Sequence, residues 1–192
     1  MLSRKICTIT TIEQTGLITL LRNSDGSYGT KLALVPVNRD VHVGYLDYTR
    51  KNTLDLAFKY LGNRYGWGGS LNSRDCSELV MSVYSCFGFK LPRDVSTQSK
   101  IPTAQSVANM TDYEKSVVLD NTPAGAILQF KGHEMLYLGK VNGKYYILNA
   151  SGSINSNGVN TYINTITIYS LDVLRANGVS FYSAINNVVN IK

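Results

Sequence analysis

The spacing of apolar residues changes twice along this chain, and those changes limit the possible folds more than any other feature. Up to about residue 45 the sequence alternates in short stretches that are typical of β-strands. From about residue 50 apolar residues recur every three or four positions, as in helices, and from Ala126 onward strand-like runs return between turn signals. Helices followed by an antiparallel meander predict an α+β fold.

The N-terminal stretch is expected to form a small β module. Strand-like segments occur at residues 6–12, 17–21 and 31–37, and Asp25-Gly26 is a turn signal. A piece of this length is marginal as a domain on its own. We therefore expect residues 1–45 to be a β module that packs on a main domain of residues 46–192.

Two helices are expected at the start of the main domain. The first should be capped by Asn52 or Thr53, end at Gly62 and present an apolar face formed by Leu54, Ala57, Phe58 and Leu61. The second should run from about Cys76 to Phe87 and bury a face that includes Leu79, Val80 and Val83. Residues 94–122 are polar and predict a loop with one short helix near Asp112.

The composition excludes several classes of partner and cofactor. The net charge is +6, but Lys and Arg are scattered singly and no basic run is interleaved with aromatic residues, so nucleic-acid binding is not expected. No segment approaches the roughly 18 apolar residues that would cross a bilayer. Three cysteines and two histidines indicate neither a disulfide framework nor a structural zinc site. We expect the protein to need no metal or organic cofactor, and we also expect it to be a monomer.

The sequence leaves two cellular locations possible for the protein. Residues 1–7 are followed by Thr-rich alternating sequence and lack the apolar core of a signal peptide. Either the protein is cytoplasmic, or an export signal has been removed and the protein works in the cell envelope or outside the cell.

Cys76 is the best candidate for a nucleophile. It follows a Gly-rich loop and opens the second predicted helix, where unpaired N–H groups and the helix dipole favour a thiolate. A thiolate is the attacking form of cysteine. Cys86 lies inside the same helix and is expected to be a buried, inert residue.

His133 is the better of two candidate bases, because it opens a predicted strand, whereas His42 lies in the N-terminal module. The third member of a triad would be Asn149, at the end of the next strand. A two-residue turn at Asn142-Gly143 places Asn149 on the face opposite His133. A three-residue loop, or a bulge, places both side chains on one face.

These residues together resemble the NlpC family of cell-wall cysteine peptidases, a papain-like group, also called NlpC/p60. The matching motifs are Tyr65-Gly66-Trp67-Gly68-Gly69, Asp75-Cys76-Ser77, Leu91-Pro92-Arg93 and Gly132-His133. Residues 44–52 resemble the linker of members that carry an SH3-like domain ahead of the peptidase. The resemblance implies a papain-like fold, with N-terminal helices packed on an antiparallel sheet, after a partial SH3-like module at residues 1–45.

The resemblance also implies roles for particular residues. Cys76 would attack a murein peptide between D-γ-glutamate and a diamino acid, His133 would act as base and then acid, and Asn149 would orient it. Tyr65 would line the site near the oxyanion, and Asp75 and Ser77 would hold a free substrate amine. Four departures from the family pattern put substrate preference in question: Asn149 in place of the usual His, Glu78, Val95 and Glu134.

Two other functions fit the same sequence. An amidase or acyltransferase would use the same thiol chemistry with another substrate or acceptor. A non-catalytic wall-binding module would keep the fold, although it would have no reason to keep Cys76 more reactive than Cys7.

Overall fold

The computed structural model describes residues 8–10, 14–36, 41–42 and 44–192. The chain divides into two compact units between Leu46 and Asp47. Both units contain antiparallel sheets, and the second also contains helices, so the mixed α and β content agrees with the sequence.

The first unit is a three-stranded antiparallel sheet in the order β1-β2-β3. Its strands are β1 (Thr8–Thr10), β2 (Gln14–Arg22) and β3 (Tyr28–Pro36). The β2–β3 hairpin closes through a turn in which Gly26 has a φ of 86°, a conformation that favours glycine. The expected strand positions Ile6, Ile12 and Val37 lie outside the described residues, and the identification of this unit as SH3-like stays a prediction.

Helices precede and flank the six-stranded sheet of the second unit. They are α1 (Arg50–Phe58), a 3-10 helix (Trp67–Asn72), α2 (Cys76–Ser85), α3 (Val95–Gln98), α4 (Asp112–Asp120) and α5 (Phe181–Ala184). The strands are β4 (Ala104–Ser106), β5 (Ile127–Phe130), β6 (His133–Val141), β7 (Lys144–Ser156), β8 (Val159–Ser170) and β9 (Asn187–Val189).

The sheet is antiparallel throughout, in the order β4-β9-β5-β6-β7-β8. Strands β5 to β8 form the expected meander. The last strand, β9, inserts between β4 and β5, so the C-terminal segment completes the sheet. One face of the sheet covers a core that includes Leu119, Met135, Ile147 and Val188. None of the helices within the described residues combines the length and the apolar character needed to cross a bilayer.

The first helix departs from the sequence prediction at its cap and at its buried face. Thr49 is the cap, because its side chain accepts a hydrogen bond from the Asn52 N–H at 3.1 Å. Phe58 ends the helix and Leu61 lies beyond it, and both are 42% exposed. Ala57 is buried as predicted, and Thr53 is buried as well, so the apolar spacing indicated the helix correctly but only part of its buried side.

The second helix follows the prediction closely. It begins at Cys76, and Leu79, Val80 and Val83 are at most 1% exposed. It packs against α1, β6 and β7. Its last residue is Ser85, so Phe87 is buried just beyond the helix rather than inside it. This packing holds the first turn of α2 beside the beginning of β6.

Candidate active site

The loop before α2 folds back on itself and holds Tyr65. The Tyr65 N–H donates to the Asn164 carbonyl at 3.0 Å, which ties the loop to β8, and Gly66 N–H donates to Arg74 O at 3.2 Å. A Cβ atom on Gly66 would lie 1.8 Å from Ser73 Oγ, so only glycine fits there. Burial is the main cause that raises the pKa of Tyr65. Cys76 and Asp75 act in the same direction, because the loop returns to the beginning of α2.

Cys76 occupies the first position of α2, as the sequence predicts. Asp75 caps the helix, and its side chain accepts a hydrogen bond from the Glu78 N–H at 2.9 Å. The Cys76 thiol is free and only 8% of the residue is exposed. The nucleophile candidate therefore lies at the floor of a cleft rather than on an open surface.

The electrostatics of Cys76 differ from the sequence expectation of a lowered pKa. Burial is the largest influence and raises the pKa of the thiol, and the nearby Glu134 and Asp75 carboxyl groups act in the same direction. The backbone N–H groups of Glu134 and Ser77 favour the ionised form but do not outweigh burial. The resting group is a protonated thiol, so an attack would require a neighbouring base to remove its proton.

His133 opens β6 and its Nε2 atom lies 2.7 Å from Asn149 Oδ1. The Asn149 Nδ2 atom donates to the Tyr169 hydroxyl, which leaves Oδ1 as an acceptor. The His133 Nε2 atom must therefore carry the proton, and Nδ1 is left with a lone pair. This is the tautomer that a base needs in order to take a proton from a thiol.

A β-bulge decides that His133 and Asn149 share a face. The turn has two residues, because Val141 pairs with Lys144, the register that would separate the two side chains. The pairing then shifts by one residue between Tyr137 and Gly139, so that Leu136 pairs with Leu148. This shift returns Asn149 to the side of His133, the second of the two routes that the sequence allowed.

The environment of His133 is aromatic. The Phe130 ring centroid lies 5.1 Å from the imidazole and the Phe181 ring centroid 6.4 Å from it. Burial lowers the pKa of His133 to about 4, with the Arg175 charge acting in the same direction, although the Asn149 hydrogen bond opposes this. The imidazole is therefore neutral near pH 7, which suits a base.

Arg93 joins the site although sequence reasoning gave it no role there. Its guanidinium donates to both Asp75 carboxyl oxygens, and its Nη1 atom donates to Ser77 Oγ at 2.6 Å. Burial acts to raise the pKa of Asp75, but Arg93 and the Glu78 N–H outweigh it, so that pKa is lowered. Asp75 is therefore a carboxylate, and in this structure Arg93 contacts it where the sequence analysis expected a substrate amine.

Two cavities adjoin Cys76 and His133, and Gly132 lines both. One has a volume of about 420 Å³ and is lined by Cys76, Asp75, Ser77, Arg93 and the exposed Trp67, among others. The other has a volume of about 280 Å³ and is lined by residues that include His133, Phe130 and Arg175. Cys76 thus lines one cavity and His133 lines the other.

A model of the NlpC/P60 family matches residues 62–172, which is more than half of the chain. The chain belongs to the NlpC/P60 family. The matched range contains all six residues that the sequence analysis assigned to the site: Tyr65, Asp75, Cys76, Ser77, His133 and Asn149. Their individual roles stay predictions.

Individual known proteins extend the comparison. Dipeptidyl-peptidase 6 of Lysinibacillus sphaericus is 30% identical over 112 residues, which are 58% of this chain and 35% of that protein. This chain thus spans about a third of the length of that relative. An NlpC/P60 endopeptidase from Photobacterium damselae subsp. piscicida has a TM-score of 0.73 at 19% identity, over 95% of this chain and 47% of that one.

An NlpC/P60 protein of Bacillus cereus ATCC 10987 gives a TM-score of 0.55 at 15% identity, over 96% of this chain and 53% of the other. At such identities the likeness of both structures concerns the fold alone. It agrees with the mixed α and β architecture. The resemblance inferred from the motifs is confirmed at the level of the NlpC/P60 family by the family model that matches residues 62–172.

The strand that carries His133 also carries Glu134, whose side chain is fully buried. Gln129 lies directly opposite Glu134 on β5, and Asn187 lies opposite Gln129 on β9. The Asn187 amide donates to Gln129 Oε1 at 3.0 Å, and Gln129 Nε2 donates to Glu134 Oε2 at 2.8 Å. The three side chains form a buried polar row across three strands.

The other end of this row requires a proton. Gln98 Nε2 donates to the Pro92 carbonyl at 2.8 Å, so Gln98 Oε1 faces inward as an acceptor. The Gln98 side chain also lies within hydrogen-bonding range of the Glu134 carboxyl group. Gln98 Oε1 and Glu134 Oε1 are both buried without a partner. A protonated Glu134 satisfies both atoms, because its O–H donates to Gln98 while its other oxygen accepts from Gln129.

The surroundings of Glu134 favour the protonated form of its carboxyl group. Burial raises the pKa of Glu134 to about 7, the Asp75 carboxylate acts in the same direction, and Arg93 and the two glutamine side chains oppose it. The Glu134 charge would in turn raise the pKa of Cys76. Glu134 was one of the four departures from the family pattern, but the buried row was not predicted from the sequence. The signal was a carboxylate in a run that is otherwise apolar.

Proposed function

We propose that this protein is a cysteine peptidase that hydrolyses cell-wall peptides. The observation that carries this proposal is the hydrogen bond from His133 to Asn149, because it leaves Nδ1 of the imidazole as a lone-pair acceptor. The N–H of the next residue on the strand, Glu134, lies beside the Cys76 sulfur, which supports a thiol within reach of that imidazole. The chain belongs to the NlpC/P60 family, and the NlpC/P60 protein of Photobacterium damselae that shares its fold is an endopeptidase, which supports a peptidase activity.

In the proposed mechanism His133 takes the thiol proton as Cys76 attacks the peptide carbonyl. The imidazolium then protonates the leaving amine, and water hydrolyses the acyl-enzyme with His133 again as base. Asn149 holds the imidazole ring in place through Oδ1. The backbone N–H of Cys76 at the helix start, together with Tyr65, is suited to stabilise the oxyanion.

The finer proposal is that the bond cleaved joins D-γ-glutamate to a diamino acid. Asp75 and Ser77 would bind the free amine of an N-terminal L-Ala. The contact between Arg93 and Asp75 means that an incoming ammonium would share the carboxylate with the guanidinium or displace it. A wall substrate fits a location in the cell envelope or outside the cell, and recycling of peptides in the cytoplasm would use the same site.

The test is to incubate the protein with L-Ala-γ-D-Glu-diaminopimelate and with its Lys counterpart, and to follow the products by mass spectrometry. Release of L-Ala-γ-D-Glu by the wild type, and none by Cys76→Ala, is the expected result. No cleavage of either peptide, with Cys76 still labelled by iodoacetamide, would favour an amidase or acyltransferase with another substrate. No cleavage and no labelling would favour a wall-binding module.

A further inference from the structure

The cavity beside His133 carries positive charge without a paired acid. Arg175 and Lys131 line it, and no Asp or Glu does. In the part of the chain that the structure describes, no carboxylate lies within 4.0 Å of either side-chain cation. The cavity beside Cys76 is different, because its Arg93 is ion-paired with Asp75. The cavity beside His133 therefore has cations that could bind an anionic ligand, whereas the cation beside Cys76 is already paired with a carboxylate.

Arg175 is held in place by packing rather than by an ion pair. Its guanidinium carbon lies 4.2 Å from the centroid of the Phe130 ring, whose centroid is 5.1 Å from the His133 ring. The Arg175 backbone is fixed in a turn, because its N–H donates to Val179 O at 2.9 Å and its carbonyl accepts from Gly178 N–H at 2.8 Å. A guanidinium stacked by its face keeps its N–H edges available, and that edge matches a carboxylate.

The proposed mechanism decides which part of a substrate meets this cation. The acyl group stays on Cys76, whereas the leaving amine takes a proton from His133, so the leaving amino acid lies on the histidine side. We propose that the cavity lined by Arg175 and Lys131 binds a carboxylate of that leaving amino acid. This inference rests on the proposed function. The α-carboxyl carbon is only two bonds from the leaving nitrogen. A carboxylate bound by Arg175 would therefore lie close to an amine that takes its proton from His133.

The position of Arg175 gives such binding a second effect. The Arg175 charge acts to lower the pKa of His133, which disfavours the imidazolium that forms when Cys76 loses its proton. A bound carboxylate would offset that charge. Peptides with the carboxylate should therefore gain in kcat as well as in binding.

The ligand chemistry has two sources in wall peptides, the α-carboxylate of the terminal diamino acid and the distal carboxylate of diaminopimelate. Three peptides separate them: L-Ala-γ-D-Glu-L-Lys, its C-terminal amide, and the diaminopimelate peptide amidated at the α-carboxyl group. Binding to Cys76→Ala protein by calorimetry makes the result independent of turnover, and kcat/KM of the active protein is measured in parallel.

We expect the Lys peptide acid to bind about tenfold more tightly than its amide, the effect of one charge-assisted pair. The added substitution Arg175→Gln should remove that preference and leave the affinity of the amide within about twofold. Arg50→Gln, on α1 and outside both cavities, is the matched control and should keep the preference. A preference for the α-amidated diaminopimelate peptide over the Lys amide would identify the distal carboxylate as the ligand.

Equal binding of all three peptides, no binding, or a preference that survives Arg175→Gln would each overturn the carboxylate site. These results are distinct from failure of the proposed function. If the active protein cleaves none of the peptides but Cys76→Ala protein still prefers carboxylates through Arg175, the peptidase proposal fails and the carboxylate site stands.

Discussion

His133 and Glu134 are neighbours at the start of β6, and the structure treats the two titratable side chains in opposite ways. Burial disfavours the charged form of each group, since it lowers the pKa of the imidazole to about 4 and raises that of the carboxyl group to about 7. Near neutral pH the histidine is therefore uncharged, and the carboxyl group takes up its proton at a higher pH than an exposed glutamate does. One face of the strand holds the candidate base, and the other holds a carboxyl group that can donate a hydrogen bond when protonated. Burial beside the two candidate catalytic residues therefore shifts the pKa of each neighbouring group towards its uncharged form.

The largest effect is expected from removing the base. His133→Ala should lower kcat for murein peptides by roughly a thousandfold, within the usual range for general-base catalysis. Thermal unfolding of the variant shows whether the domain remains folded, and Glu134→Gln serves as the neighbouring substitution that keeps the base. A variant that is folded and still within tenfold of wild-type kcat would remove His133 from the mechanism.

The second effect concerns Glu134, on the opposite face of β6 from His133. It is measured as the dependence of folding stability on pH. The folded-state pKa of Glu134 lies above its ordinary value of 4.5, so folding favours the protonated form. The resulting stability is complete below about pH 4.5 and is lost as the pH rises through about 7. The loss is on the order of 3 kcal/mol.

Glu134→Gln should lack this loss, because an amide accepts from Gln129 and donates to Gln98 without titrating. Its unfolding free energy, measured by urea titration from pH 4 to pH 8, should exceed that of the wild type at pH 8. Glu134→Met leaves polar atoms of Gln98 and Gln129 without partners and should be less stable at both pH values, by about 1–3 kcal/mol. Parallel pH curves for wild type and Glu134→Gln would show that Glu134 does not titrate as inferred.

The third effect concerns the pH profile of catalysis. A base with a pKa of about 4 stays neutral at pH 5, whereas one at the ordinary value of 6.5 is almost entirely protonated there. At pH 5 the kcat/KM of wild type should therefore exceed, by roughly thirtyfold, the value expected of an ordinary histidine. If kcat/KM instead falls as the pH drops below about 6.5, with buffer effects controlled for, His133 does not have the lowered pKa inferred here.

A smaller effect is expected from the residue that orients His133. Asn149→Ala removes the acceptor of the Nε2–H hydrogen bond and should lower kcat by roughly tenfold, because a misaligned imidazole reaches the thiol less often. Asn149→His, the residue usual in the family, should recover part of that loss. If the alanine and histidine variants have equal kcat, the orienting role assigned to Asn149 is wrong.

The smallest effect concerns Tyr169, which accepts a hydrogen bond from Asn149 Nδ2. Tyr169→Phe leaves that N–H buried without a partner and should cost about 1 kcal/mol of unfolding free energy. kcat should fall only a few-fold, with KM unchanged. A larger fall in kcat than that of Asn149→Ala would mean that Tyr169 acts on the reaction by another route.

Much of the candidate site could be predicted because its signals are local. A Gly-rich loop before an amphipathic run predicts a helix start at Cys76, and α2 begins there. A turn followed by an apolar run predicts a strand that opens with His133, and β6 does so. Neither prediction needs knowledge of distant residues, since turn and helix propensities act over a few positions.

Other features depend on contacts between distant parts of the chain. The sequence left two registers open for Asn149, and the bulge near Leu138 decided between them. It gave Arg93 no partner, because Asp75 is 18 residues away and meets it only after the chain folds back. It did not single out β9, because that strand is fixed by pairing with β4 and β5 rather than by its own three residues.

The sequence by itself determined the positions of α1, α2, α4 and the strands β5 to β8, the nucleophile candidate, the base candidate and the family resemblance. Only the tertiary structure decided the direction in which the pKa values of Cys76, His133 and Glu134 shift, and which charged side chains line each cavity. The physical reason is that hydrophobic period and turn chemistry are written in neighbouring residues, whereas the pKa of a group depends on burial and on charges brought close by folding.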